Sequence, residues 1–333
     1  MNMRVAQAGV ANHGRTILNA IRDAGNLELV SCFDVNTTAN EGAAREFGAR
    51  AMPTFEQMLN DPTIVAVVLV TPNHLHFEQA QEAIAAHKHV FVEKPIAATV
   101  ADARRMIDLA KEAGLKLMVG HNTRRRQVFR RAKSLLEEGR IGKVVAVEAN
   151  LSRPAGLQAG LPAWKADPKT CGLLPMMQLG IHFVDTAHYL LGPVERVSCF
   201  ATNAAMPNNV LDSAAAMLQL ASGVPVSLTS SYVSADAYFL RIYGTGGTIH
   251  CTPLKLQLEL LERGEYKETR EEDFRGEGAE SYILQMREFG ECVLKGSSPE
   301  TGGEEGLQAL AVVEAMARSV ETHTVIEVSS VLA

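Results

Sequence analysis

At 333 residues the chain is longer than one hydrophobic core comfortably serves, so two domains are expected. Its 47% hydrophobic and 21% charged residues are those of a folded protein rather than a disordered one. The formal net charge of −6 gives no attraction to nucleic acid or an anionic membrane, and no apolar run reaches the roughly 18 residues of a membrane helix.

The first third alternates Val-rich apolar runs with helical spacing. Strands are expected at Arg4–Ala8, Glu28–Phe33, Ile64–Val70, His89–Val92 and Lys116–Val119, with helices at Arg15–Ala24, Thr38–Phe47, His74–His87 and Ala101–Ala113. Apolar strands alternating with helices imply a doubly wound parallel sheet, that is, an α/β Rossmann domain spanning residues 1–122. Gly25 and Gly114 stand where two of the helices should stop in a left-handed residue.

The pattern then changes. A helix at Arg124–Glu138, a strand at Lys143–Asn150, an irregular stretch at Ser152–Pro175 and a helix near Gln178–Leu190 precede a run of strands from Val194 to about Glu268. Those strands fall at Val194–Ala201, Ala214–Leu220, Pro225–Tyr232, Phe239–Tyr243, Thr248–Cys251 and Leu256–Leu261, and two helices follow at Ser281–Leu294 and Glu305–Val320. Consecutive strands joined by tight turns predict a large, mainly antiparallel sheet in an α+β domain of residues 123–333. The five cysteines lack metal-ligand spacing and read as reduced thiols, with no metal site expected. Met1–Val10 runs straight into a strand and has no signal-peptide features, so a cytoplasmic location is expected.

Gly9-Val10-Ala11-Asn12-His13-Gly14 follows the first strand and opens the first helix, the context in which a dinucleotide fingerprint has physical meaning. Gly9 permits the tight turn, Gly14 lets the helix approach the sheet, and the helix amides face the pyrophosphate. The middle position is Ala11 rather than glycine, which weakens the motif. Asp34 ends the second strand at the spacing expected of the acid that binds ribose hydroxyls, and neither Val35 nor Asn36 supplies an arginine for a 2′-phosphate. NAD is therefore expected in preference to NADP. A cap on the next helix is the plainer role for Asp34.

Three further strands end in polar clusters: Thr71-Pro72-Asn73 with His76, Glu93-Lys94-Pro95, and Gly120-His121-Asn122. Ligands of an open parallel sheet bind at such ends. Lys94 should project from a buried strand end, where it can stabilise charge on a reacting oxygen. A salt bridge with Glu93 is its structural alternative.

Together with Gly180-Ile181-His182 and Asp185, these motifs resemble the family of glucose–fructose oxidoreductase, inositol dehydrogenase and the rhizopine catabolism protein, over essentially the whole chain. The resemblance implies NAD-dependent hydride transfer at a hydroxyl or carbonyl carbon of a small polar substrate, a sugar or polyol. It also implies a second domain whose broad sheet serves a homodimer or homotetramer. By the same resemblance Lys94 and His182 are catalytic, Lys94 binding the reacting oxygen and His182 acting as acid/base, a role suited to imidazole. Many members carry aspartate four residues before the histidine; Gln178 stands there and cannot carry a proton. Arg124, Trp164, Gln178 and Asp185 complete the candidate substrate contacts, with Asp185 either orienting His182 or touching substrate. Rival readings are a dinucleotide-binding regulator without catalysis and a redox-neutral enzyme with tightly held NAD.

Overall fold

The computed structural model describes residues 2–158, 161–276 and 278–333. Ala159 and Gly160 of the expected irregular stretch lie outside the described residues. The chain divides into two compact units, one of Met1–Asn122 with Ala279–Leu307, the other of Thr123–Gly278 with Gln308–Ala333.

The first unit runs β1 (Met3–Ala8), α1 (His13–Ala24), β2 (Leu27–Phe33), α2 (Thr37–Phe47), β3 (Arg50–Ala51), α3 (Phe55–Leu59), β4 (Ala66–Leu69), α4 (His76–Ala85), β5 (His89–Val92), α5 (Val100–Glu112) and β6 (Leu117–Val119). Its six strands lie in the order β3-β2-β1-β4-β5-β6 and are parallel throughout, the doubly wound arrangement expected. The apolar runs are buried on both faces: Val5, Ala66, Val68, Phe91 and Met118 form one core with Ile17 and Ile21 of α1. Gly25 closes α1 at a φ of 81°, as its sequence position requires. β3 and α3 were not anticipated, the first because two exposed residues carry no periodicity.

In the second unit, α6 (Gln127–Glu137), β7 (Val144–Ser152) and α7 (Ile181–Leu191) precede β8 (Val194–Thr202), β9 (Ser213–Leu220), β10 (Pro225–Ser231), β11 (Ala237–Gly244), β12 (Gly247–Cys251), β13 (Lys255–Glu262) and β14 (Glu265–Asp273). The chain then places α8 (Glu280–Lys295) in the first unit, and α9 (Gly303–Thr322) leads back to the second, which ends in β15 (Ile326–Glu327) and α10 (Ser329–Leu332). A single division at residue 122 misses this return, because α8 supplies Met286 and Phe289 to the first core, with Phe289 set 5.8 Å from Phe91.

The nine-stranded sheet has the order β14-β13-β12-β11-β7-β10-β9-β8-β15, antiparallel at every pair except β10 with β7. Alternate residues such as Val197, Ala216, Leu228, Leu240 and Ile249 are buried, while Phe200 and Met217 lie exposed on the opposite face. The expected helix from Arg124 is broken: Thr123–Arg125 forms a 3₁₀ turn and α6 begins at Gln127. The helix expected near Gln178 opens as a π-turn over Met176–Gly180 before α7.

Candidate active site

In the first unit the glycine turn is braced from below. The amide of Gln7, buried in β1, donates to the carbonyls of Gly9 and Gly14, each at 2.8 Å. Gly9 has a φ of 83° and Gly14 sits directly on its carbonyl, so a Cβ at either position would strike backbone. Asn12 takes a φ of 48°, no side chain caps α1, and Ala11, Asn12 and His13 are exposed. An uncapped helix start beside bare backbone suits an anionic ligand. Asp34 binds the turn to β2: Oδ2 accepts from the Val10 amide at 2.8 Å and Oδ1 from the Asn36 amide at 2.9 Å. Capping of α2 falls to Asn36, whose side chain accepts from Ala39. Val35 is almost wholly exposed.

The three polar strand ends lie on neighbouring strands, since β4, β5 and β6 are adjacent. The buried His76 ties the first two together, with Nδ1 2.8 Å from the Pro95 carbonyl and Nε2 2.9 Å from that of Thr71. Burial pushes this imidazole below its ordinary pKa, against the pull of the two carbonyls. Pro72 and the buried Asn73 enter the 3₁₀ turn before α4. Glu93 ties the second end to the third, because its carboxylate fills the place a Cβ on Gly120 would occupy. Burial pushes the Glu93 carboxyl up, but His13, 3.3 Å away, and Lys94 outweigh it and hold the group below its usual range. His13 also meets Tyr282 edge-on. Lys94 follows β5 half-buried, and Asn122 donates to Ser281 Oγ at 2.9 Å.

In the second unit, His182 is half-buried in the first turn of α7, and its Nδ1 lies 3.0 Å from Thr123 Oγ1. One residue beyond Thr123, Arg124 meets Asp185 through Nε at 2.9 Å and Nη2 at 2.5 Å, and both side chains are buried. Asp185 is thus engaged by the Arg124 guanidinium. Gln178 is buried in the π-turn with Nε2 3.8 Å from Cys171 Sγ. A Cβ on Gly180 would meet the Met176 sulfur and the Ser230 hydroxyl of β10. Trp164 lies half-buried in a 3₁₀ turn, with the Lys165 ammonium 5.2 Å from its ring.

Sequence reasoning missed Gln7 and Thr123. A glutamine among the apolar residues that end a strand before a glycine turn is a signal that could have found the first. Thr123 carries none, because its partner is 59 residues away.

Two family models match the chain. Residues 3–121 match an oxidoreductase family with an NAD-binding Rossmann fold, and residues 133–328 match the C-terminal alpha/beta domain of the same oxidoreductase family. The 1,5-anhydro-D-fructose reductase of Ensifer adhaerens is 28% identical over 319 residues, covering 94% of this chain and 95% of that protein. Inositol 2-dehydrogenase of Rhizobium meliloti is 28% identical over 330 residues, covering 96% and 97%. Among solved structures, levoglucosan dehydrogenase in complex with NADH and levoglucosan has the same fold, with a TM-score of 0.90 at 23% identity over 98% of this chain and 100% of that one.

Proposed function

The chain belongs to this NAD-binding oxidoreductase family, and from that premise we propose that it is a dehydrogenase or reductase of a sugar or polyol. The names of its relatives support the substrate class: one reduces an anhydrofructose and another oxidises an inositol. The observation that carries the reading is the His76 bridge, which fixes the loop bearing Lys94 beside the Thr71 loop at adjacent strand ends.

The first unit's turn fits the dinucleotide, through its uncapped helix start and the backbone laid bare at Gly9 and Gly14. Gly9, Ala11, Asn12, His13 and Gly14 hold the pyrophosphate, while Asp34 and Val35 meet the adenosine ribose. Thr71, Pro72, Asn73, His76, Glu93, Lys94 and Asn122 serve the nicotinamide end. When bound, the nicotinamide accepts or returns the hydride. Lys94 stabilises negative charge on the reacting oxygen and His182 takes or returns its proton. The bidentate pair gives Arg124 and Asp185 the task of holding α7, which leaves Gln178 and Trp164 as further contacts to substrate. The five cysteines are buried and outside any disulfide, which supports work in the cytoplasm, and exposed Phe200 and Met217 support assembly into a homodimer or homotetramer through the broad sheet.

A panel of myo-inositol, D-glucose, D-xylose and 1,5-anhydro-D-fructose, followed by NADH absorbance in both directions, tests the reading. On whichever compound reacts, Lys94→Ala should lower turnover by about 100-fold or more and leave NAD binding, read by fluorescence titration, within about threefold. Near-wild-type turnover of that variant would overturn the assignment.

A further inference from the structure

A histidine that exchanges protons at one ring nitrogen needs its other nitrogen held in a fixed state. In its neutral form the ring has one N–H and one lone pair, so the partner at Nδ1 decides whether Nε2 is a base or an acid. His182 meets the hydroxyl of Thr123 at 3.0 Å through Nδ1. The two groups are held in register from both sides. Arg124, next to Thr123, grips Asp185, three residues after His182 and on the same face of α7. Thr123 itself is buried and opens the 3₁₀ turn, with its carbonyl accepting from the Arg126 amide at 3.0 Å. The phenol of Tyr238 is buried beside Thr123 and Arg126, and the Arg126 guanidinium covers its ring at 5.3 Å. Phe183, the neighbour of His182, packs edge-on against that same ring with centroids 5.2 Å apart.

We propose that Thr123 is the positioning residue for His182: its hydroxyl oxygen accepts a hydrogen bond from Nδ1–H and keeps Nε2 as the nitrogen that takes and returns the substrate proton. The inference rests on the acid/base role given to His182 above. One arrangement serves both directions of the reaction. With Nδ1 protonated and bonded to Thr123, neutral Nε2 offers a lone pair to a hydroxyl, and the imidazolium formed keeps the same bond to Thr123. No ring flip and no rotation of the hydroxyl separates the two states.

A hydroxyl also differs from a carboxylate in what it does to the proton. A carboxylate at Nδ1 would favour the imidazolium and make it a weaker acid; a neutral oxygen holds the ring without that bias. The residue four before His182 is Gln178, turned toward Cys171, and Asp185 is engaged by Arg124. The chain thus places a neutral hydroxyl at Nδ1 of the histidine. That suits an enzyme that must both take and give the proton close to neutrality.

Long-range ¹H–¹⁵N correlation spectra of the ¹⁵N-histidine-labelled, NADH-loaded enzyme read the tautomer without any substrate, with His182 assigned from the spectrum of His182→Gln. The wild type should show the Nδ1–H form, Thr123→Ser should keep it, and Thr123→Val should revert to the Nε2–H form. On the reacting panel compound, kcat of Thr123→Val should fall about 10- to 100-fold with KM nearly unchanged, the His182 limb of the pH profile should move, and Thr123→Ser should restore both. An Nδ1 without a proton in the wild type overturns the proposal even if Thr123→Val does not fold, and so does an unchanged tautomer in Thr123→Val. Full activity of His182→Gln would instead remove the acid/base role itself, and the tautomer measurement keeps that failure separate.

Discussion

Around the glycine turn and the strand ends of the first unit, three polar side chains direct hydrogen bonds to main-chain atoms. Gln7 holds two carbonyls, Asp34 two amides and His76 two more carbonyls. Around α7 of the second unit, side chains hold one another: Arg124 with Asp185, Thr123 with His182, Gln178 with Cys171. The first kind of brace shapes a loop for a ligand that is recognised largely through backbone. The second kind locks a turn to a helix some 60 residues away, with spans of 59 and 61 residues for the two pairs at its head. Losing a brace of the first kind loosens a turn. Losing one of the second leaves a buried group without its counterpart.

The largest effect should therefore come from the second unit. Asp185→Ala takes the carboxylate partner from the buried Arg124 cation and should cost about 3–5 kcal/mol, seen as a fall of roughly 10 °C in thermal unfolding. Pairing it with Arg124→Met and using Leu at position 185 should recover most of that loss; a double variant no better than the single one would mean that the charges are not what couples the turn to the helix. In the first unit, Asp34→Ala should leave the fold intact and weaken NAD by about 10- to 100-fold in fluorescence titration, the worth of charge-assisted bonds. The same change should raise the ratio of NADP to NAD affinity, and an unchanged ratio would break the reading of Asp34 as the group that repels a 2′-phosphate.

The smallest expected effect tests a carboxylate that combines both kinds of brace. Hydrogen bonds from the Thr63 hydroxyl and amide, with Arg50 beside them, hold the Asp61 carboxyl down to about 2. A carboxyl depressed on folding stabilises the protein above its unfolded value near 4, and that contribution fades as pH falls from about 4 to about 2. Asp61→Asn should remove it, moving the acid-unfolding midpoint followed by circular dichroism upward by about half a pH unit.

The same division explains how much the sequence made legible. Five of the six strands of the Rossmann sheet, the turn at Gly9–Gly14 and Asp34 follow from local spacing, and local spacing is what a backbone-braced site is built from. β14 reads Glu265-Tyr266-Lys267-Glu268-Thr269-Arg270-Glu271-Glu272-Asp273, with no apolar alternation, because an edge strand buries little on either face. The π-turn before His182 gave no signal either, since its residues show no pattern that sets them apart from an α-helix. Thr123 and the Arg124–Asp185 pair were visible only as residue types, and which of them meet is settled by tertiary packing.

The return of the chain in α8 has a consequence for inheritance and transplantation. Asn26 donates to the Arg287 carbonyl at 2.8 Å, Arg287 donates to that of Ala24 at 3.1 Å, and Gly290 leaves no room for a side chain against Asn26 and Leu27. The dinucleotide module is thus written in two separated stretches of sequence. A recombination that exchanged residues 1–122 alone would deliver a sheet without the helix carrying Met286 and Phe289. Shuffling can succeed only when both stretches travel together, so residues 1–122 and 279–307 should vary as one unit.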